Sequence, residues 1–149
     1  MDIPFNITKV SKEEYPVILA VWEASVRATH DFLKPGEIER LKPLILNQYL
    51  AMVTLACIRN EGDKIEGFVG VAEDKVEMLF VHPAAMGMGI GRALMEYAIH
   101  CLGVKKVDVN EDNGQAVAFY KYLGFEVAHR SPLDGEGNPY PILHLQYRN

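Results

Sequence analysis

Cysteine is scarce in this chain: Cys57 and Cys101 are the only two among 149 residues, far apart and without a Cys-x-x-Cys spacing. That pattern excludes a disulfide framework and a thiolate metal cluster, and the pair reads as buried thiols of a cytosolic protein. Apolar runs are short as well. No segment reaches the ~18 uncharged apolar residues that a membrane span needs, and the N-terminus, Met-Asp-Ile-Pro-Phe-Asn, has no basic region followed by a long apolar core. The expectation is a soluble, cytoplasmic protein with no membrane partner. Clustered positive charge is missing too. Fifteen Lys and Arg stand against 20 Asp and Glu, a net charge of −5, so the concentrated cations on which nucleic-acid binding rests are absent. An acidic excess favours a cationic or amine partner slightly and serves solubility equally well. His82, His100 and His129 have no partners at metal-ligand spacing, so no metal is expected. There is no internal repeat, low-complexity tract or linker, which makes residues 1–149 one domain.

What the chain does have is a 49% apolar content, enough for a substantial core. Residues 7–10 form a short strand-like stretch. Ser11 and Glu14 then make an S-x-x-E capping box opening a helix to about Thr29, with Tyr15, Ile18, Leu19, Trp22 and Val26 recurring at helical spacing as its apolar stripe. A second helical region at 37–50, interrupted by Pro43, is expected to cover a cleft. Segments 53–59 and 65–71 flank the turn Asn60-Glu61-Gly62-Asp63 and read as a hairpin, and 76–81 reads as a strand buried on both faces. A helix over 89–100 places Ile90, Leu94, Ala98 and Cys101 on one face, with Arg92, Glu96 and His100 on a solvent face. A strand at 104–109, a helix at 114–123 capped by Asn113 and closed by Gly124, and strands at 125–130 and Ile142–Tyr147 complete the order. The sum is an α+β, or mixed α/β, domain. Its sheet is mixed and mostly antiparallel, of about seven strands with about four helices, and a parallel crossover runs from Val81 to Val104.

The run Val81-His-Pro-Ala-Ala-Met-Gly-Met-Gly-Ile-Gly-Arg92 joins a strand to a helix through glycines. Gly87, Gly89 and Gly91 let the backbone turn tightly and approach an anion, and the helix beyond offers unpaired N–H groups at the positive end of its dipole. A pyrophosphate-bearing ligand suits such a junction, although glycine also serves to end strands and allow close packing. A nucleotide is a further candidate class, but neither Gly-x-x-x-x-Gly-Lys-Ser/Thr nor Gly-x-Gly-x-x-Gly is complete, because Arg92 stands at the last glycine position of the latter. Asn113-x-x-Ala116-x-x-Phe119-Tyr120-x-x-x-Gly124-Phe125 follows the next apolar stretch. In order and spacing, the two motifs together resemble the GNAT family of N-acetyltransferases over residues 76–127. Residues 21–33 and the tail Pro139-Tyr-Pro-Ile-Leu are similar to small bacterial members of that family.

The resemblance implies a V-shaped splay in the sheet that binds acetyl-CoA as cosubstrate, with transfer of its acetyl group to a primary amine, either a protein lysine or a small molecule. The amine would attack directly within a ternary complex, which suits the absence of a Gly-x-Ser-x-Gly elbow. A noncatalytic acyl-CoA binding or sensing module is the alternative, and a monomer or a homodimer is compatible with either. By resemblance the cofactor residues are Phe80 and Val81, whose backbone would pair with the pantetheine arm, the loop Met86, Gly87, Met88, Gly89, Ile90, Gly91 and Arg92, and Asn113, which can also simply cap its helix. Met86 departs from the family pattern, which has Arg or Gln there. One charge-assisted contact is thereby lost unless Arg92 compensates. Met86 and Met88 otherwise read as packing.

Tyr120 stands where the family places a tyrosine that protonates the departing thiolate; by spacing alone it also fits a packed aromatic beside Ala116, Phe119 and Leu123. Glu77 lies on the cofactor strand, where the family sometimes has a carboxylate that activates water, and a solvated strand glutamate reads the same way. His30 and Asp31, ending the first helix, are candidates for acceptor binding or deprotonation, and His144 on the last strand shares that ambiguity.

Overall fold

The computed structural model describes residues 5–29 and 34–148. Seven strands form one sheet: β1 (Ile7–Lys9), β2 (Thr54–Arg59), β3 (Ile65–Ala72), β4 (Lys75–Val81), β5 (Lys106–Asn110), β6 (Phe125–Ser131) and β7 (Ile142–Tyr147), in the order β1-β2-β3-β4-β5-β7-β6. Every neighbouring pair is antiparallel except β4 and β5. Four α-helices lie among the described residues: α1 (Tyr15–Thr29), α2 (Glu37–Leu44), α3 (Ile90–Cys101) and α4 (Gly114–Tyr122). The mixed, mostly antiparallel sheet and its parallel crossover through α3 are as the sequence led us to expect.

The sheet divides two apolar cores. Strand alternation sends Ala56, Val69, Val107, Val109 and Leu145 to the face covered by α3 and α4, where Leu94, Met95, Ala98 and Tyr120 meet them. It sends Cys57 and Phe68 to the other face, under Ile18, Trp22 and Val26 of α1 and under Ile45 and Leu50. The stripe of α1 is centred on Ile18, Val21, Trp22, Ser25 and Val26, while Tyr15 and Leu19 are only half-buried. The Ser11–Glu14 box is present, with the Ser11 N–H donating to Glu14 Oε1 at 3.0 Å, and it opens a single 3-10 turn that leads into α1. Pro43 has no N–H to give, and the helix loses its α geometry just beyond it, widening into a π turn over Ile45–Tyr49 before a 3-10 turn at Leu50–Met52.

Two expectations are corrected. Residues 76–81, read as a strand buried on both faces, are fully buried only at Val76 and exposed at Glu77, because β4 loses its β5 neighbour beyond Val76. Cys57 is buried, but Cys101 is exposed. It is the last residue of α3, beyond the buried run Ile90, Leu94 and Ala98, and the chain leaves the helix two residues later at Gly103, whose φ is 71°.

Two irregularities shape the centre of the sheet. β4 and β5 share Cα partners only at Lys75↔Lys106 and Val76↔Val107; beyond them β4 runs on to Val81 and β5 to Asn110 without pairing, so the sheet opens between them. At the same level the β3–β4 register shifts, Gly70 facing Met78 and Val71 facing Val76, which leaves Glu77 as the bulged residue.

Candidate active site at the open edge of β4

A cleft of about 440 Å³ occupies this opening. β4 contributes Leu79, Phe80 and Val81 to one wall, and α4 contributes Asn113, Ala116, Phe119 and Tyr120 to the other. The glycine loop and the first turn of α3 close one end, and Ser25 and Thr29 at the end of α1 lie across it.

The loop is built from backbone conformation. His82 caps a 3-10 turn at Pro83–Ala85, its Nδ1 accepting from the Ala84 N–H at 3.1 Å. Gly87 and Gly89 then take left-handed conformations, with φ of 81° and 85°, and Gly89 is the N-cap of α3. An L side chain at either would cost about 1–2 kcal/mol. The Met86 N–H is turned back to the Pro83 carbonyl at 3.4 Å, so the row of donors available to an anion begins at Gly87, one residue later than the sequence suggested. The first N–H groups of α3 have no partner within the helix and stand at its positive end.

The cradle is held in place by Gly67 on β3. A Cβ there would lie 2.8 Å from Ile90 Cγ2 and 3.3 Å from the Phe80 carbonyl oxygen, so the start of α3 rests directly on a strand with no side chain. Gly91 differs: a Cβ would sit 3.8 Å from Val81 and 3.8 Å from Phe119, at ordinary contact distance. Its lack of a side chain is not required by packing, and it keeps the space between the two cleft walls clear. A cleft that has a glycine loop and a helix N-terminus together with a strand edge in its lining fits a ligand with a diphosphate and a thin arm, as coenzyme A has.

Tyr120 is 8% exposed, its ring set edge-on to Phe119 at 5.2 Å and to Phe125 at 5.9 Å between centroids. The hydroxyl makes no side-chain hydrogen bond to the described residues, yet no fully buried side-chain oxygen or nitrogen among them lacks a partner, so the oxygen is the part of the residue that reaches the cleft. Burial pushes its pKa up to about 12. The phenol therefore stays protonated at neutral pH as a donor.

Of the ten cofactor residues named from the sequence, nine line this cleft: Phe80, Val81, Met86, Gly87, Gly89, Ile90, Gly91, Arg92 and Asn113. Met88 is 56% exposed and does not. The Arg92 guanidinium is drawn along α3, with Nε 3.1 Å from Glu96 Oε1 and its carbon 5.5 Å from the centre of the Tyr122 ring. Asn113 caps α4, Oδ1 accepting from the Ala116 N–H at 3.1 Å, while still facing the cleft. Glu77 lies apart from Tyr120's cleft, exposed, between a shallow depression with Tyr49 and Met52 and a second one containing Lys75, Asp108 and His144. His30 and Asp31 lie outside the described residues.

Sequence reasoning did not pick out Ser25, Thr29 or Gly67. A serine within the apolar stripe of α1 and a glycine inside a strand were the signals available for the first and last. Nor did it foresee that His144 meets Asp108, because the two lie far apart in the chain and meet only when β5 pairs with β7.

Residues 52–127 match the model of the acetyltransferase (GNAT) domain. The chain is 39% identical over 142 residues to the peptidyl-lysine N-acetyltransferase YjaB of Escherichia coli strain K12, covering 95% of this chain and 96% of that protein. It is 32% identical over 122 residues to the peptidyl-lysine N-acetyltransferase YiaC of the same organism, covering 81% of this chain and 83% of that one. The solution structure of the apo form of Escherichia coli YjaB superimposes with a TM-score of 0.82 at 37% identity, over 96% of this chain and 97% of that one. The family resemblance carried by the glycine loop and the Asn113–Phe125 motif, and its similarity to small bacterial members, are thus borne out, and the binding-only alternative is not favoured. The chain belongs to the GNAT family of acetyltransferases, enzymes that use acetyl-CoA to acetylate amines.

Proposed function

We propose that this enzyme acetylates the side-chain amine of protein lysines by direct attack within a ternary complex, with Tyr120 protonating the departing coenzyme A sulfur. The observation that carries this reading is Tyr120, a largely buried aromatic that lines the same cleft as the glycine loop and as Phe80 and Val81, with no hydrogen-bonding side chain on its hydroxyl among the described residues. The lysine acceptor is supported by YjaB and YiaC, both named as peptidyl-lysine N-acetyltransferases.

Gly87 to Arg92 would hold the diphosphate through backbone N–H groups, and the backbone of Phe80 and Val81 at the cleft wall would align the pantetheine arm as an added strand. The amine nitrogen, entering neutral, forms the new bond to the acetyl carbon, the C–S bond breaks, the sulfur takes the Tyr120 proton as its negative charge develops, and the proton the nitrogen sheds on becoming an amide returns through water to the Tyr120 oxygen. Asn113 caps α4, the helix that carries Tyr120.

The test is thiol release from acetyl-CoA in the presence of lysine-containing proteins, with mass spectrometry locating the acetyl group. Acceptor-dependent release and lysine acetylation are expected. Coenzyme A binding without thiol release, across protein, peptide and polyamine acceptors, would leave a sensing module instead.

A further inference from the structure

α1 carries two hydroxyls one helical turn apart, and only one of them is absorbed by its own helix. Thr29 Oγ1 donates to the Ser25 carbonyl at 2.7 Å, the local bond that hydroxyls commonly make inside helices. The Ser25 hydroxyl makes no such bond. It has no hydrogen-bonding partner among the described residues, although Ser25 is only 4% exposed and sits among the apolar Val21, Trp22 and Val26. No side-chain oxygen or nitrogen among the described residues is fully enclosed without a partner, so the Ser25 oxygen reaches the space that the residue lines, the cleft it shares with Tyr120. Alanine would serve a helix packed for shape alone, because burying a hydroxyl without a partner costs stability.

The side from which Ser25 reaches the cleft sets it apart from Tyr120. Trp22 and Val26 pack with Phe68 and Phe80 on the α1 face of the sheet, whereas Leu94, Ala98 and Tyr120 belong to the face under α3 and α4. One cleft is lined from both faces because β4 has no β5 neighbour beyond Val76. With α3 and α4 covering one face, a molecule that approaches a coenzyme arm lying along Phe80 and Val81 from the other face passes α1. No carboxylate lines this cleft among the described residues. An ammonium ion therefore finds no counter-charge there, and the amine enters neutral, as attack requires.

We propose that the Ser25 hydroxyl orients the acceptor amine for attack on the thioester by accepting a hydrogen bond from one of its N–H groups. This rests on the acetyltransfer proposed above. A neutral primary amine has two N–H groups and one lone pair, so holding an N–H on the α1 side turns the lone pair toward the acetyl carbon. The nitrogen gains positive charge as the C–N bond forms, and the hydrogen bond to Ser25 is then stronger in the transition state than with the bound amine. Ser25 keeps its own proton throughout. The sulfur takes the Tyr120 proton, and the proton shed by the nitrogen returns to the Tyr120 oxygen through water.

The test measures thiol release with a lysine peptide for Ser25→Ala, Ser25→Thr and Ser25→Val. Ser25→Ala removes an unpartnered hydroxyl from an apolar stripe, so its urea midpoint should equal or exceed that of the wild type. Its kcat should fall about tenfold to a hundredfold, the equivalent of one charge-assisted hydrogen bond, while calorimetric coenzyme A affinity stays within about twofold. Threonine and valine share a shape and differ in the hydroxyl, so Ser25→Thr should turn over at least about tenfold faster than Ser25→Val. Unchanged kcat in Ser25→Ala, or equal rates in the threonine and valine variants, would overturn the assignment. A loss of coenzyme A affinity large enough to account for the fall would overturn it too, giving Ser25 to the pantetheine arm instead. Failure of the wild type to release thiol with any lysine peptide would refute the acetyltransferase reading, and this role with it.

Discussion

Replacing Tyr120 with phenylalanine removes one oxygen from a ring that keeps its packing against Phe119 and Phe125. Because that oxygen makes no side-chain hydrogen bond to the described residues, no protein partner is orphaned, and stability at neutral pH should change by no more than about 0.5 kcal/mol. Coenzyme A affinity should also hold, since the proposed diphosphate contacts lie at the loop. Turnover is the quantity expected to move. A positioned general acid contributes roughly 10²–10⁴ in rate, so kcat should fall at least about a hundredfold while the KM for acetyl-CoA stays close to that of the wild type.

The same variant carries a second signature. Burial raises the Tyr120 pKa from 10.0 to about 12, so the folded protein holds this proton more tightly than the unfolded chain. The resulting stabilisation is complete below pH 10 and is lost as pH rises toward 12, by at most about 2.7 kcal/mol for a two-unit shift at 1.36 kcal/mol each. Tyr120→Phe has no such loss, so in urea titrations the variant should gain on the wild type across that window. Thiol-release kinetics, calorimetric coenzyme A binding and alkaline unfolding test the three parts. A variant that binds coenzyme A and turns over within threefold of the wild type would refute the acid role outright.

Gly67→Ala would place a methyl 2.8 Å from Ile90 Cγ2, which must displace the start of α3 or the strand beneath it. A loss of about 1–3 kcal/mol in denaturant unfolding is expected, with weakened coenzyme A binding that Gly62→Ala, in the β2–β3 turn, does not share. Met86→Arg puts a cation at a position that is 43% exposed on the rim of the cleft, and coenzyme A should bind about tenfold to a hundredfold tighter by calorimetry. Little tightening would mean that the backbone donors from Gly87 onward already satisfy the diphosphate. Glu14 is held down to about 2 by the hydrogen bonds of Arg59 and by the Ser11 N–H. Its contribution is present above the ordinary carboxylate value of 4.5 and disappears as pH falls toward 2, so Glu14→Gln should lower stability by about 1 kcal/mol at pH 7 and by almost nothing near pH 2.

The helix and strand assignments were largely legible because each rests on neighbours in sequence. Capping at Ser11 and Asn113, the stop at Gly124 and the turn between 53–59 and 65–71 are short-range properties, and the glycine loop is one continuous segment whose conformation its own residues dictate. Where the expectation missed, the deciding contact was remote. The stripe of α1 shifted toward Ser25 because the sheet and the Ile45–Leu50 segment, not the helix, choose which side is covered. Cys101 is exposed because α3 carries it past the buried run.

By itself, then, the order of residues determined the family, the glycine-rich strand-to-helix loop and the aromatic on α4, since those depend on residue type and spacing within single elements. Tertiary structure decided the rest. It set where the sheet splits, because the split is the point at which pairing between β4 and β5 ends. It placed Tyr120 on one side of that split and joined Asp108 to His144 on the other. Pattern in one strand records which face a side chain takes, but only register between strands brings two such side chains within reach of each other.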